Sequence, residues 1–344
     1  MEKAPSKEAL KPKAVMRVGR ETIVQSGALF AGNEPTQIDI LRDLEPVVVN
    51  ELSRHEAMRK PWLPADFLPV DSEGRILHRV TDPEQAPLLS PAAQAAMLVN
   101  LLTEDNLPSY HRVIAGNFGI DGPWGTWTNQ WTAEEDNHSY VMRSFLDLTR
   151  SLDSGMLETA RLEQMSQGYD EDRDPLHTLA YVTFQELATR VSHRQTGAAC
   201  HNDIAEAMLQ RIAIDENLHM LFYRNVAGKA IDIAPNQMMQ AIRDELIDFK
   251  MPGANIKGFE VHALRIAEAE IYDLTRHYSE VVMPVLRKWR IFEREDFTDY
   301  GAQARDELAA FLVNLQVNAD RFADRRDSGQ VARLIKTLGK RAAR

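Results

Sequence analysis

Two stretches of this 344-residue chain pair a carboxylate with an imidazole three residues on: Glu135 with His138 in E-D-N-H, and Glu216 with His219 in E-N-L-H. On a helix, residues three apart share a face, so each pair can converge on one ion. The spacing alone is weak, because the His and Glu content yields roughly one such pair by chance. The partners carry the information. Glu104 precedes Glu135 by 31 residues and Glu186 precedes Glu216 by 30, each within an apolar helical stretch. About thirty residues lead the chain to a neighbouring helix and back to similar height. Helix Glu followed by helix Glu-x-x-His, stated twice, is the ligand pattern of dinuclear carboxylate sites in helix bundles. Four carboxylates and two neutral imidazoles balance two divalent ions where unbalanced charge is costly. Mixed oxygen and nitrogen ligation suits iron or manganese. The candidate metal ligands are therefore Glu104, Glu135, His138, Glu186, Glu216 and His219.

Other residues fall near this set. Thr189 shares a face with Glu186 and is read as backbone-bonded or as a proton-handling group. His193, seven residues after Glu186, is read as a neighbour of the ligands and not as a seventh one. Asp215 is placed to orient a ligating imidazole through its second nitrogen. Trp124, Trp127 and Trp131 recur at near-helical spacing before Glu135 and mark an inward face. Pro108 cannot donate to the Glu104 carbonyl and loosens the helix there. Trp62, between prolines, reads as a packing anchor.

The elements that must position these residues are helices. Apolar periodicity predicts a helix over 39–57 interrupted by Pro46, and one starting at Ser90–Pro91, a fitting cap and first-turn pair. Further helices are expected over 124–152, 155–167, 176–193, 204–229, 236–250, 258–277, 280–292 and 301–322. Residues 59–82 read as a long connection. The expected fold is all-α, a helix bundle with flanking helices. Residues 1–36 read as a mobile basic arm, 37–322 as the helical domain and 323–344 as a basic tail. The formal charge is −11, with 40 basic and 51 acidic residues. It is uneven: +4 over 1–20, +6 over 321–344 and −21 between. Broad nucleic-acid binding is excluded by that balance. A single cysteine, Cys200, excludes disulfide frameworks and cysteine-rich metal sites. No membrane span or secretion signal is visible, so a cytoplasmic setting is expected.

With T-E-D-N-L-P-S-Y at 103–110, W-T-A-E-E-D-N-H at 131–138, F-Q-E-L-A-T-R-V-S-H at 184–193, D-E-N-L-H at 215–219 and V-M-P-V-L-R-K-W-R-I-F-E-R-E-D-F at 282–297, the chain resembles the soluble acyl-acyl-carrier-protein desaturases, especially the actinobacterial branch. The resemblance spans residues 40–320. It implies a homodimeric, ferritin-like bundle with two iron ions per chain. It also implies oxygen-dependent introduction of a cis double bond into an acyl chain held on acyl carrier protein, with ferredoxin as reductant. Motif by motif, the six ligands become iron ligands, Thr189 an oxygen-side threonine, and Trp62, Asp215 and His138 an electron route. Asn137 and Ser139 stand where the family has Arg and Gly. The family's Gly-Gly-x-Asp-Trp stretch is not evident around residues 75–82. An acidic carrier needs a local basic patch, for which Arg54, Arg59, Lys60, Arg287, Lys288 and Arg290 are the candidates. Alternative readings are an iron-detoxifying ferritin-like protein and a di-iron hydroxylase or N-oxygenase. A radical-generating reductase subunit would need a tyrosine near the metals, and Tyr181 lies off the face of Glu186.

Overall fold

The computed structural model describes residues 34–68, 70–73, 75, 89–169, 172–251, 253, 256 and 258–342. Most of the expected N-terminal arm (residues 1–33), most of the 75–82 stretch and residues 343–344 lie outside the described residues. The ordered elements are helical, and the described residues contain no β-strand. In chain order they are α1 (Gln37–Met58), α2 (Pro91–Glu104), α3 (Leu107–Phe118), α4 (Gly122–Thr149), α5 (Ser154–Gln167), α6 (Pro175–Ala199), α7 (Asp203–Ile233), α8 (Pro235–Ile247) and α9 (Phe259–Glu268). The helical run α10 comprises Leu274–Arg276, a π-helical stretch His277–Val282 and Met283–Trp289. Then come α11 (Asp299–Asp327) and α12 (Gln330–Ala342).

The starts follow from capping chemistry. Ser90 Oγ accepts from the Ala93 amide at 3.1 Å, with Pro91 at the first helical position. Asp174 caps α6 by accepting from the His177 amide at 2.9 Å, again followed by proline. Asn202 does the same for α7 through the Ala205 amide at 2.9 Å. Each cap satisfies an amide that the helix itself leaves unpaired.

Four helices form the centre. α2 packs on α4 and α6, and α7 packs on the same two, closing a ring. α1 leans on α4 and α7, α8 on α6 and α7, and α11 on α8. Trp127 stacks on Phe222 at 3.6 Å between ring centroids, joining α4 to α7.

Four boundary expectations are corrected. α1 runs through Pro46, which is exposed, so the carbonyl it deprives of a partner faces water. The single helix expected over 258–277 is broken: Glu270 takes a left-handed φ of 55°, and Asp273 caps a new helix by accepting from the Arg276 amide at 2.9 Å. The helix expected from 280 therefore begins at Leu274. Residues 323–327 complete α11, and residues 330–342 form α12.

Candidate metal centre

Glu104 is the last residue of α2. Beyond it Asp105 and Asn106 form a turn, and α3 starts at Leu107 with Pro108 in its first turn. The proline thus ends α2 at the candidate ligand. Glu135 and His138 project from mid-α4, Glu186 from mid-α6, and Glu216 and His219 from mid-α7. All six side chains are buried.

The structure brings the six together in two overlapping groups. Ligand-capable atoms of Glu104, Glu135, His138 and Glu216 lie within 4.8 Å of one another, as do those of Glu135, Glu186, Glu216 and His219. Glu135 and Glu216 belong to both. Each histidine points Nδ1 inward. His138 Nδ1 is 3.2 Å from Glu135, 3.4 Å from Glu216 and 3.8 Å from Glu104. His219 Nδ1 is 2.9 Å from Glu135 and 3.5 Å from Glu186.

The donor set fits a pair of divalent cations. Glu186 Oε2, Glu216 Oε1 and His219 Nδ1 are buried and have no aligned hydrogen-bond partner, although His219 Nδ1 lies close to Glu135. Buried polar atoms normally find one. Charge makes the same point. Burial, then the Glu216 carboxylate, pushes Glu186 and Glu135 above the usual carboxylate range. Burial opposes the charge on both histidines, but the surrounding carboxylates outweigh it and raise them well above the ordinary imidazole value. Protons thus compensate charge in this arrangement where cations would sit.

The neighbours are equally ordered. Thr189 Oγ donates to Glu216 Oε2 at 2.7 Å and lies 3.0 Å from the Glu186 carbonyl. His193 Nε2 lies 2.9 Å from Glu104, outside both groups. Trp131 donates from Nε1 to Glu186 at 3.1 Å, so the tryptophan face does point inward. Trp62, half-buried in the loop after α1, donates to Asp215 Oδ2 at 2.7 Å. Asp215 lies 3.6 Å from His138 Nε2 and also pairs with Arg211.

Sequence reasoning missed Glu134 and His55. Glu134 Oε2 lies 2.9 Å from His219 Nε2 and 3.0 Å from His55 Nε2, and Arg59 approaches its other oxygen at 3.4 Å. The result is an exchange between motifs. The acid preceding Glu135 faces the histidine of the second motif, and the acid preceding Glu216 faces the histidine of the first. The available signal was that each Glu-x-x-His is preceded by another acid, Glu134 or Asp215.

Of the basic candidates, Arg54 pairs with Glu51 at 2.5 Å, Arg59 with Glu56 at 2.6 Å and Arg290 with Glu293 at 2.7 Å. Lys60, Arg287 and Lys288 are exposed.

Three cavities share lining residues, and two of them touch the candidate ligand Glu104. One of about 400 Å³ lies among α8, α9, α10 and α11. It shares Met251, Phe259, Ala263 and Tyr272 with a cavity of about 90 Å³ that touches Thr189, His193 and Glu104. That cavity shares Thr103 and Glu104 with one of about 40 Å³ lined by Trp131, Glu135 and Tyr181. Their lining is mostly apolar, and the series of shared residues reaches Glu104. Tyr181 donates its hydroxyl to the Lys250 carbonyl at 3.0 Å. No helix among the described residues is long and apolar enough to cross a membrane.

The family described as fatty acid desaturase matches residues 36–336. The chain is 47% identical over 300 residues to a Mycobacterium tuberculosis protein named as the acyl-acyl-carrier-protein desaturase DesA1, covering 83% of this chain and 88% of the relative. It is 26% identical over 345 residues to the chloroplastic stearoyl-acyl-carrier-protein 9-desaturase 1 of Oryza sativa, covering 94% of this chain and 90% of that one. Among solved structures, an X-ray structure of the M. tuberculosis desaturase DesA2 superposes with a TM-score of 0.58 at 25% identity, covering 73% of this chain and 95% of that chain.

Proposed function

Since the chain belongs to the fatty acid desaturase family, we propose that it introduces a cis double bond into an acyl chain carried as a thioester on acyl carrier protein. The six buried side chains would hold two iron ions, Glu104 and His138 on one, Glu186 and His219 on the other, with Glu135 and Glu216 shared. The observation that carries this reading is that sharing of two carboxylates between overlapping ligand groups. Bound iron would supply the oxygen-dependent redox chemistry that removes two hydrogens from neighbouring methylenes, with ferredoxin or a similar carrier as reductant.

The chain's own residues contribute position and proton control. Neighbouring methylenes are chemically alike, so regioselectivity must come from geometry. The path past Glu104 narrows beside Thr189, where an extended chain lies against the centre and water has little room. Thr189 is the catalytic candidate: its hydroxyl sits between that path and Glu216 and can hold or pass a proton there. Trp62, Asp215 and His138 form the proposed electron route from the half-buried indole inward. An apolar path beside the centre favours an alkyl substrate over iron storage. A homodimer in the cytoplasm completes the proposal. The test is product analysis of the iron-loaded protein with acyl carrier protein substrates, oxygen and reductant. Loss of two hydrogens supports desaturation, whereas a hydroxylated product or none refutes it.

A further inference from the structure

The wide cavity is bounded by Ala263 and Ala267 of α9, Leu274 of α10 and Phe311, Leu315 and Phe322 of α11. α12 packs on α9 and α11, two of the same helices. It carries Arg333, Lys336, Lys340 and Arg341 and no acidic residue. Arg333 and Lys336 are exposed, as are Arg321 and Arg325, which flank the cavity-lining Phe322. Among the described residues no carboxylate pairs with any of these four, unlike Arg54, Arg59 and Arg290; the same holds for Lys60, Arg287 and Lys288, but of these cations only Arg321 and Arg325 flank a residue that lines the wide cavity. Meanwhile residues 21–320 carry −21. An acidic macromolecule is repelled by that body and steered to this end. Val331 of α12 is buried and Ile335 and Leu338 are partly covered, which leaves Leu334 as the exposed large apolar residue of the helix, a smaller apolar surface than entry into a bilayer calls for.

We propose that α12, with Arg321 and Arg325 of α11, is the docking surface for the small, strongly acidic carrier protein, delivering the acyl chain at the wide end of the cavity path. This rests on the carrier-linked substrate proposed above. It moves the docking surface away from Arg54, Arg59, Lys60, Arg287, Lys288 and Arg290.

The experiment titrates fluorescently labelled holo-acyl carrier protein, bearing no acyl chain, with the intact protein at low and at physiological salt. The variants are Arg333→Glu with Lys336→Glu and, separately, Arg287→Glu with Lys288→Glu. We expect about tenfold weaker binding for the α12 variant at low salt, a smaller difference as salt screens the charges, and wild-type affinity for the second variant. Arg333→Gln with Lys336→Gln, showing a smaller loss and unchanged melting temperature, guards against a folding artefact. Wild-type affinity in both α12 variants, or loss only in the Arg287/Lys288 variant, overturns the docking surface while leaving the substrate class intact. A wild-type protein that does not bind the carrier at low salt overturns the carrier reading itself. Charge-dependent sedimentation of the wild type with phosphatidylglycerol vesicles, without carrier binding, assigns the surface to lipid and also refutes the proposal.

Discussion

At the scale of single residues, candidate ligands common to both groups should behave differently from those in one group only. Glu135→Ala removes a carboxylate from both ligand groups and should bring metal content from two ions per chain toward none. Glu186→Ala touches one group only and should leave close to one ion, as measured by elemental analysis of reconstituted protein. Glu134→Gln keeps the shape beside His219 but weakens the carboxylate that orients it, so metal affinity should fall by about 10- to 100-fold with the fold intact. An unchanged affinity would leave Glu134 as a mere partner of His55 and Arg59. Thr189→Val should retain both ions yet yield less product per electron consumed, and equal coupling would remove the proton-handling role. Trp62→Leu should slow reduction of the loaded centre more than it lowers the melting temperature. The clustering of the six candidate ligands was legible because a helix face fixes a three-residue spacing. Glu134 and His55 were not, because their meeting joins residues 79 apart through the packing of α1 on α4, which no local pattern encodes.

At the scale of the element, α10 offers a test of its own. His277 is buried at the start of the π-helical stretch, its Nδ1 shares a hydrogen bond of 2.9 Å with the Tyr272 hydroxyl, and it packs on Phe249 at 4.8 Å between ring centroids. Burial holds its imidazole down to about 4. The folded state therefore binds fewer protons there than the unfolded chain. That contribution is present above the ordinary imidazole pKa of about 6.5 and is lost as pH falls through about 4, worth at most about 3 kcal/mol. Replacing His277 with Gln should flatten the melting temperature between pH 6.5 and 4 relative to wild type, and an unchanged slope would contradict the assignment. This helix also shows where pattern reading stops. Glu270 breaks the expected 258–277 helix without a glycine or proline. The Asp273 cap is a local signal that the apolar periodicity overrode, whereas the pairing of Arg326 of α11 with both Glu270 and Asp273 is a tertiary contact no local pattern encodes. By contrast Ser90–Pro91 announced α2 outright, since cap and first turn are set by adjacent residues. Pro46 misled because an exposed helix face tolerates the hydrogen bond it removes.

At the scale of the whole molecule, the proposed docking surface places charge, cavities and the buried centre along one path. The chain folds as an all-α, ferritin-like bundle whose four central helices each bring ligand-capable groups to one height. The wide cavity lies among helices next to the basic end, and it shares lining residues with the smaller cavity that touches Thr189 and Glu104. That gradient suits a flexible apolar chain tethered to a larger, polar carrier. The most direct test of the central claim is mass analysis of the acyl product. The protein is loaded with iron and given oxygen, a reduced ferredoxin and a saturated acyl chain on acyl carrier protein. The account predicts a product two hydrogens lighter with the double bond at one position, formed by wild type and lost in Glu135→Ala. A product carrying added oxygen, or the same product from the Glu135→Ala protein, would contradict it.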